Sequence, residues 1–285
     1  MRALVVCLWL LAGCAATSRS PRTRDGLNCA WRVCIQMVNT PAGRAYRAEN
    51  GEPVPATVTL TFVSPGNLRT GADRPIERVI PPRSSRILVR LRTVLRDTSV
   101  QPDVSVSIDL GSSTTEADDD HLYAVPFGGD SRRELVQGFD GDVSHVESMR
   151  YSLDFAMPEG TPILAARAGT VLYLQDGFTE GGTDPDLLEA ANLVVVAHSD
   201  GTMASYGHLT EGISVAVGDT VLVGDLLGVS GSTGFTGGPH LHFHVGKRML
   251  GEPGRTIPIK IRDRNGRLLD LAKGLLVEPA RANSR

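Results

Sequence analysis

The chain of 285 residues is 41% hydrophobic and 21% charged, with a formal net charge of −3. That is the composition of an ordinary globular protein long enough for two domains, and its charge balance excludes a strongly basic surface, so no nucleic-acid partner is expected. Aromatics supply only 5% of the residues while glycine (31) and proline (17) are plentiful; with no long helical periodicity, the fold expected is mostly β with many turns.

The chain opens MRALVVCLWLLAGC, a basic Arg2 followed by an apolar run from Ala3 to Ala12. The run is too short for a permanent membrane-spanning helix. Leu11-Ala12-Gly13-Cys14 resembles a bacterial lipobox. This implies a signal peptide over residues 1–13, lipidation of Cys14 and membrane attachment through the acyl chains. A plain secretory signal with a chance cysteine is the alternative. Residues 14–27 are polar and read as a lipidated, flexible tether. Cys7 leaves with the signal, so Cys29 and Cys34 remain as an even pair in an oxidising compartment, where a disulfide is expected. A metal pair is the alternative, but the spacing is not CxxC and no histidine is near. The expected location is the bacterial cell envelope; Ala15, rather than an aspartate, after the lipidated cysteine fits the periplasmic face of an outer membrane.

Residues 28–116 hold no histidine and several short β-like runs: VCIQMVN (33–39), ATVTLTFV (56–63), RILVRLRTV (86–94) and VSVSIDL (104–110). Gly/Pro/Asn clusters separate them. This pattern predicts an immunoglobulin-like β-sandwich. It carries no evident chemistry, and spacing or binding of an envelope protein partner is its expected role. The acidic break SSTTEADDD (112–120) marks the domain boundary.

All seven histidines lie in residues 121–285. Strand runs continue there in TPILAARAGTVLYL (161–174), NLVVVAH (192–198), TMASYGHL (202–209) and DTVLVGDLLGVSG (219–231). Residues 192–208 predict a hairpin closed by Ser199-Asp200-Gly201. A short helix is predicted at 185–191, with Asp184 as cap and Pro185 at the first position. EGTPILAARAGTV (159–171) and VGDTVLVGDLLGV (217–229) echo each other and read as two similar hairpin arms of one sheet.

The stretch GGPHLHFHV (237–245) alternates His240, His242 and His244 with Leu241, Phe243 and Val245. Alternation of this kind marks a strand whose histidines share one face. In YSLDFAMP (151–158), Asp154 points away from Leu153 and Phe155. A carboxylate within an apolar strand is costly unless it is paired or metal-bound. His208 ends the SYGHL strand. Singly, each residue fits an ordinary polar or salt-bridged position. Together they suit a catalytic metal site, which needs three protein ligands, an open position for water and a nearby base.

SGSTGFTGGPHLHFHV (230–245), SYGHL (205–209), DFAMPEGTPI (154–163) and VGDTVLVGDLLG (217–228) resemble, in order, the signatures of lysostaphin-type (LytM-domain) zinc endopeptidases that hydrolyse peptidoglycan. The likeness runs from about Leu122 to the end of the chain, through TIPIKI (256–261). The resemblance implies a C-terminal antiparallel β-sheet metallopeptidase domain over 121–285 and one zinc ion per chain. His242 and Asp154 match zinc ligands; His240 and His208 match the two non-ligand catalytic histidines. One of these handles the proton of the water and the other assists the oxyanion or the leaving amine. The first zinc histidine departs from the common HxxxD spacing, because Arg150 stands there. Ser144-His145 resembles a subset of the family with a longer loop, which makes His145 the third ligand. The competing reading makes His145 a surface residue and leaves the site one ligand short. His244 is expected beyond the ligands, in a supporting role. His121 and His198 are read as structural, and Gly231, Gly234, Gly237 and Gly238 as a flat wall beside a substrate groove.

Two functions follow from the resemblance. The first is a zinc metalloendopeptidase that cuts peptidoglycan stems or cross-links. The alternative is a catalytically inactive lipoprotein of the same fold that activates cell-wall amidases or scaffolds envelope complexes. The ligand count separates them, and Asp154, His208, His240 and His242 favour the enzyme.

Overall fold

A computed structural model describes residues 18–19, 22–24, 27–64, 68–69, 75–93, 103–141, 144–247 and 255–283. The expected signal peptide (residues 1–13) and Cys14 lie outside the described residues. The chain divides into two compact units, Thr17–Thr115 and Glu116–Arg285.

Among the described residues, the first unit contains two larger antiparallel sheets and a small ribbon of Leu68–Arg69 with Arg92–Thr93. One orders Ser18–Arg19, Asp103–Leu110, Ala56–Ser64 and Ile76–Ile80; the other orders Arg22–Arg24, Leu27–Ala30, Val33–Thr40, Gly43–Asn50 and Ser84–Arg90. Each buries an apolar face. Val58, Leu60 and Ile108 are fully enclosed in one, and Val33, Ala45 and Ala48 in the other. Tyr46 meets Phe62 edge-on at 6.1 Å, joining the two sheets. Cys29 and Cys34 stand opposite each other across a tight hairpin and form a disulfide. Two departures from the sequence reading stand out. The expected flexible tether contributes strands, since Ser18–Arg19 pairs with Asp109 and Ile108, and Arg22–Arg24 pairs with Leu27–Cys29. Backbone groups make those ladders, so a polar sequence does not prevent them. GRAYRAEN (43–50) is also a strand. A bulge between Tyr46 and Arg47 breaks its alternation, leaving Ala45, Tyr46 and Ala48 all buried.

The second unit is built on one large sheet. Its path runs Thr220–Val221, Gly169–Gln175, Asn192–Ala197, Met203–Leu209, His240–Lys247, Ser152–Ala156, Arg133–Gln137 and Leu276–Val277, with Arg255–Thr256 added beside His240–Lys247. On one face Leu153, Phe155, Ala204, Tyr206, Leu241, Phe243 and Val245 make the core. Pleating places Asp154, His242 and His244 on the other face. Register fixes their neighbours: Asp154 and Gly207 flank His242, while Ser152 and Ser205 flank His244.

The two echoing segments are not hairpin arms of one sheet. Pro162–Leu164 pairs with Leu226–Val229 in a separate ribbon, while Gly169 and Thr170 pair with Val221 and Thr220 in the large sheet. Each segment therefore pairs its first half with the other's second half. The predicted helix at 185–191 is a single 3-10 turn, Pro185–Leu187. Asp184 caps it by accepting from the Asp186 amide, but the turn buries no side chain that would reward extension.

The loop between Gln137 and Ser152 returns to the sheet through several ties. The Asp140 amide donates to the Arg150 carbonyl at 2.8 Å, and the two side chains form an ion pair. Phe139 and Tyr151 stack edge-on at 5.5 Å. Thr256 is the inner clamp. Its hydroxyl oxygen accepts from the Tyr151 amide at 2.9 Å, and its proton goes to the Ser148 carbonyl at 3.0 Å. Thr256→Val would leave both backbone groups without that partner, at a cost of about 1–3 kcal/mol. Chemical denaturation should register that loss, and amide exchange should accelerate at residues 144–151. Unchanged exchange there would show that the clamp does not hold the loop.

The hairpin turn after Ala197 carries a buried polar group. The Asp200 carboxylate accepts from Thr202 and from the Arg167 guanidinium. His198 Nδ1–H donates to the Ala168 carbonyl at 3.0 Å. Burial pushes the His198 pKa from 6.5 down to about 4. The folded chain thus keeps the ring neutral where an unfolded chain takes up a proton. Stability contributed by this group is full above pH 6.5, falls on acidification and levels off below about pH 4, a displacement worth roughly 3 kcal/mol. Urea denaturation of His198→Gln should therefore show a correspondingly smaller loss between pH 7 and pH 4 than the unsubstituted chain. Equal losses in the two proteins would refute the assignment.

Candidate metal centre

Three strands and one loop converge on the polar face of the large sheet. His145 Nε2, Asp154 and His242 offer ligand atoms that all lie within 4.8 Å of one another, and all three residues are buried. The loop folds back onto the sheet and buries His145, which is 1% exposed. Arg150, at the HxxxD position, points elsewhere and is exposed, with its guanidinium on Asp140 and over the Tyr151 ring.

The hydrogen bonds define which nitrogens are available. His145 Nδ1 lies 2.8 Å from the Gly138 carbonyl, so it carries the proton and donates. Its Nε2 is buried with no hydrogen-bond partner and lies 3.2 Å from Asp154 Oδ2. Two lone pairs at that separation need a proton or a cation between them. His242 Nδ1 lies 2.8 Å from Asp154 Oδ1, and its Nε2 lies 3.2 Å from His244 Nδ1. The donor set of two imidazole nitrogens and a carboxylate oxygen suits a borderline divalent ion such as Zn2+. Burial raises the Asp154 carboxyl pKa, but the neighbouring His145 and His242 rings outweigh it and hold the group well below the usual carboxylate range. Burial lowers the His242 and His244 rings, the latter strongly, so their neutral, ligand-competent forms are favoured.

His208 and His240 stand beside this group, with ring centroids 4.5 Å apart; His208 is 6.1 Å from His242. His208 Nδ1–H donates to the Thr233 carbonyl at 2.7 Å, and His240 Nδ1–H donates to the Gly238 carbonyl at 2.9 Å. In both rings Nε2 is therefore the proton-accepting nitrogen. His240 Nε2 faces Asp154 Oδ1 at 3.8 Å. Burial, followed by the neighbouring His240 and His242, pushes the His208 pKa down to about 3. His208 also adopts φ of +62°, a left-handed conformation that a non-glycine residue takes only where its surroundings impose it.

His121 and His198 sit apart, around Tyr123 at the Arg167–Asp200 pair. The glycines before HLH divide into two kinds. A Cβ on Gly231 would lie 2.7 Å from the Thr210 nitrogen, and one on Gly234 would lie 2.6 Å from the Ala191 Cβ, so these two admit close packing of the chain against itself. A Cβ on Gly237 or Gly238 would meet nothing within 4 Å, so these two face open space. Sequence reasoning passed over Gln137. It reaches Asp154 only because the strand register shifts between Leu135 and Gln137, and no residue pattern signals that shift.

Residues 148–253 match the sequence pattern of peptidase family M23. The peptidoglycan DD-endopeptidase ShyA of Vibrio cholerae is 33% identical over 120 residues, 41% of this chain and 25% of its own length. Lysostaphin of Staphylococcus simulans is 38% identical over 96 residues, 33% of this chain and 17% of its own. The catalytic domain of the M23 protein EnpA from Enterococcus faecalis is 28% identical, with 48% of this chain and 94% of that domain covered at a TM-score of 0.36. The chain spans about a quarter or less of the length of these two curated relatives. The C-terminal unit, which holds the buried His/Asp/His group, thus carries a match to the peptidase family M23 domain over residues 148–253.

Proposed function

We propose that the chain is a zinc metalloendopeptidase that hydrolyses peptide bonds in peptidoglycan stems or cross-links. The observation that carries this reading is the buried His145 Nε2, unpartnered and opposed to Asp154 Oδ2 at 3.2 Å. A hydrogen-bonded scaffold would have filled that gap with a donor; a metal ligand set leaves it open. His145 Nε2, one Asp154 oxygen and His242 Nδ1 would hold the ion. When bound, zinc supplies a water of lowered pKa and polarises the carbonyl to be cleaved.

The chain's own residues do the rest. His208, kept neutral by burial and oriented by the Thr233 carbonyl, presents Nε2 as a hydrogen-bond acceptor that can orient the attacking water. His240, oriented by the Gly238 carbonyl, can pass a proton to the leaving amine through Nε2 once it has gained one. Gly237 and Gly238 offer bare backbone along which an extended peptide can lie. The lipidated Cys14 would tether the enzyme within reach of the wall, on the periplasmic face of an outer membrane, and the β-sandwich would be free for an envelope partner. Both proposals rest on the sequence.

Zinc content and digestion of purified peptidoglycan by the soluble mature chain test this together. The expected result is about one zinc per chain and release of new muropeptides, both lost in His242→Ala. A metal-free wild type that releases nothing would sink the reading; zinc uptake without digestion would shift it to the amidase-activating alternative. His145→Ala should also remove zinc. Adding Arg150→His to that variant should not restore it, because residue 150 is exposed and directed at Asp140. Recovered zinc in the double variant would relocate the third ligand.

A further inference from the structure

We propose that Gln137 is a positioning residue that aligns two ligands of the metal centre at once: the Asp154 carboxylate directly and the His145 loop through Ser144. This rests on the reading of His145, Asp154 and His242 as ligands. Gln137 Nε2 lies 3.0 Å from Asp154 Oδ2 and 2.8 Å from Ser144 Oγ. The amide orientation follows from chemistry. The reverse arrangement would press Oε1 against the carboxylate, so the NH2 group must face Asp154. That group has two hydrogens, and the two oxygens take one each. Ser144 immediately precedes His145. One amide therefore links the strand that supplies the carboxylate to the loop that supplies the imidazole.

The stem of Gln137 is held as firmly as its head. A Cβ on Gly141 would lie 2.3 Å from the Gln137 Cγ, so the stem occupies the space that a side chain at 141 would take. Gln137 is thus the donor that still holds the carboxylate, through Oδ2, when His242 Nδ1, 2.8 Å from Oδ1, serves the ion instead. Asp154 Oδ2 also faces His145 Nε2. Partners of this kind set ligand orientation, and their loss commonly weakens metal binding about 10- to 100-fold.

The test uses the full chain, with zinc affinity measured by chelator competition and Co2+ as a spectroscopic substitute. Gln137→Met keeps the length and the packing on Gly141 but has no donor. Its zinc affinity should fall by about 10- to 100-fold, its visible Co2+ spectrum should change, and the melting temperature of the metal-free chain should hold. Ser144→Ala should weaken zinc less, and adding it to Gln137→Met should bring no further loss, since the two share one amide. Wild-type zinc affinity and an unchanged Co2+ spectrum in Gln137→Met would overturn the proposal. So would a fall in metal-free stability with zinc affinity intact, which describes a merely structural residue. If Gln137→Met does not fold, Ser144→Ala decides alone, and wild-type zinc affinity in it overturns the proposal. A wild-type chain that binds no zinc would overturn the metal reading itself.

Discussion

The Asp154 carboxylate lies within a strand whose adjacent residues, Leu153 and Phe155, are wholly buried on the core side. Taking such a charge out of water costs several kcal/mol. Three polar groups close on it within 3.2 Å: His145 Nε2, His242 Nδ1 and the Gln137 amide. Two of those contacts can be made by donors. The third sets a nitrogen lone pair against an oxygen lone pair, because His145 has already committed its proton to the Gly138 carbonyl. The site is thus held one positive charge short by its own hydrogen bonds, and the surrounding fold serves to keep it so.

That service is visible in how the layers are divided. Strand pleating sends Leu241, Phe243 and Val245 into the core and His242 and His244 to the opposite face. Register then brings Asp154 beside His242 with no further adjustment. The apolar face pins the register, since a one-residue slip would bury the histidines in the core and expose Phe243. Precision at the metal group is therefore inherited from ordinary core packing. His208 is different. Its left-handed φ of +62° carries a conformational penalty of about 1–3 kcal/mol, and the Thr233 carbonyl on its Nδ1 and the Gly231 amide on its own carbonyl hold it there. Strain at a residue assigned to orienting the attacking water is easier to understand than strain in a connecting turn.

What the sequence disclosed follows the same division. Strands with clean alternation were legible, and GGPHLHFHV and YSLDFAMP placed their polar residues on the correct face because period-2 patterning is a local property. The hairpin at 192–208 was legible for the same reason. Elements made by backbone pairing or by a bulge were not. Ser18–Arg19 and Arg22–Arg24 carry no apolar pattern, and GRAYRAEN loses its pattern at Tyr46. Gln137 belongs to this second class: its position opposite Asp154, seventeen residues away in sequence, depends on a register shift between their two strands, and neither strand encodes that shift alone.

The loop that carries His145 shows how the common spacing can be abandoned. In an HxxxD arrangement the histidine lies close to the strand and little ordering is needed. Here eight residues intervene between His145 and Asp154, and each must be fixed at a cost of roughly 1–2 kcal/mol of backbone entropy. Arg150, at the vacated ligand position, helps through Asp140. An exposed ion pair contributes only about 0–1 kcal/mol, however, so Arg150 cannot hold the loop by itself. The larger share falls to buried groups: Met149 packed beneath the 3-10 turn, Thr256 satisfying two backbone groups at once, and the Gly138 carbonyl that fixes the His145 ring. A bound cation would add to them, because it would bind the loop and the sheet together at the point where the hydrogen bonds stop. Metal binding and the order of this loop are on that account one equilibrium rather than two.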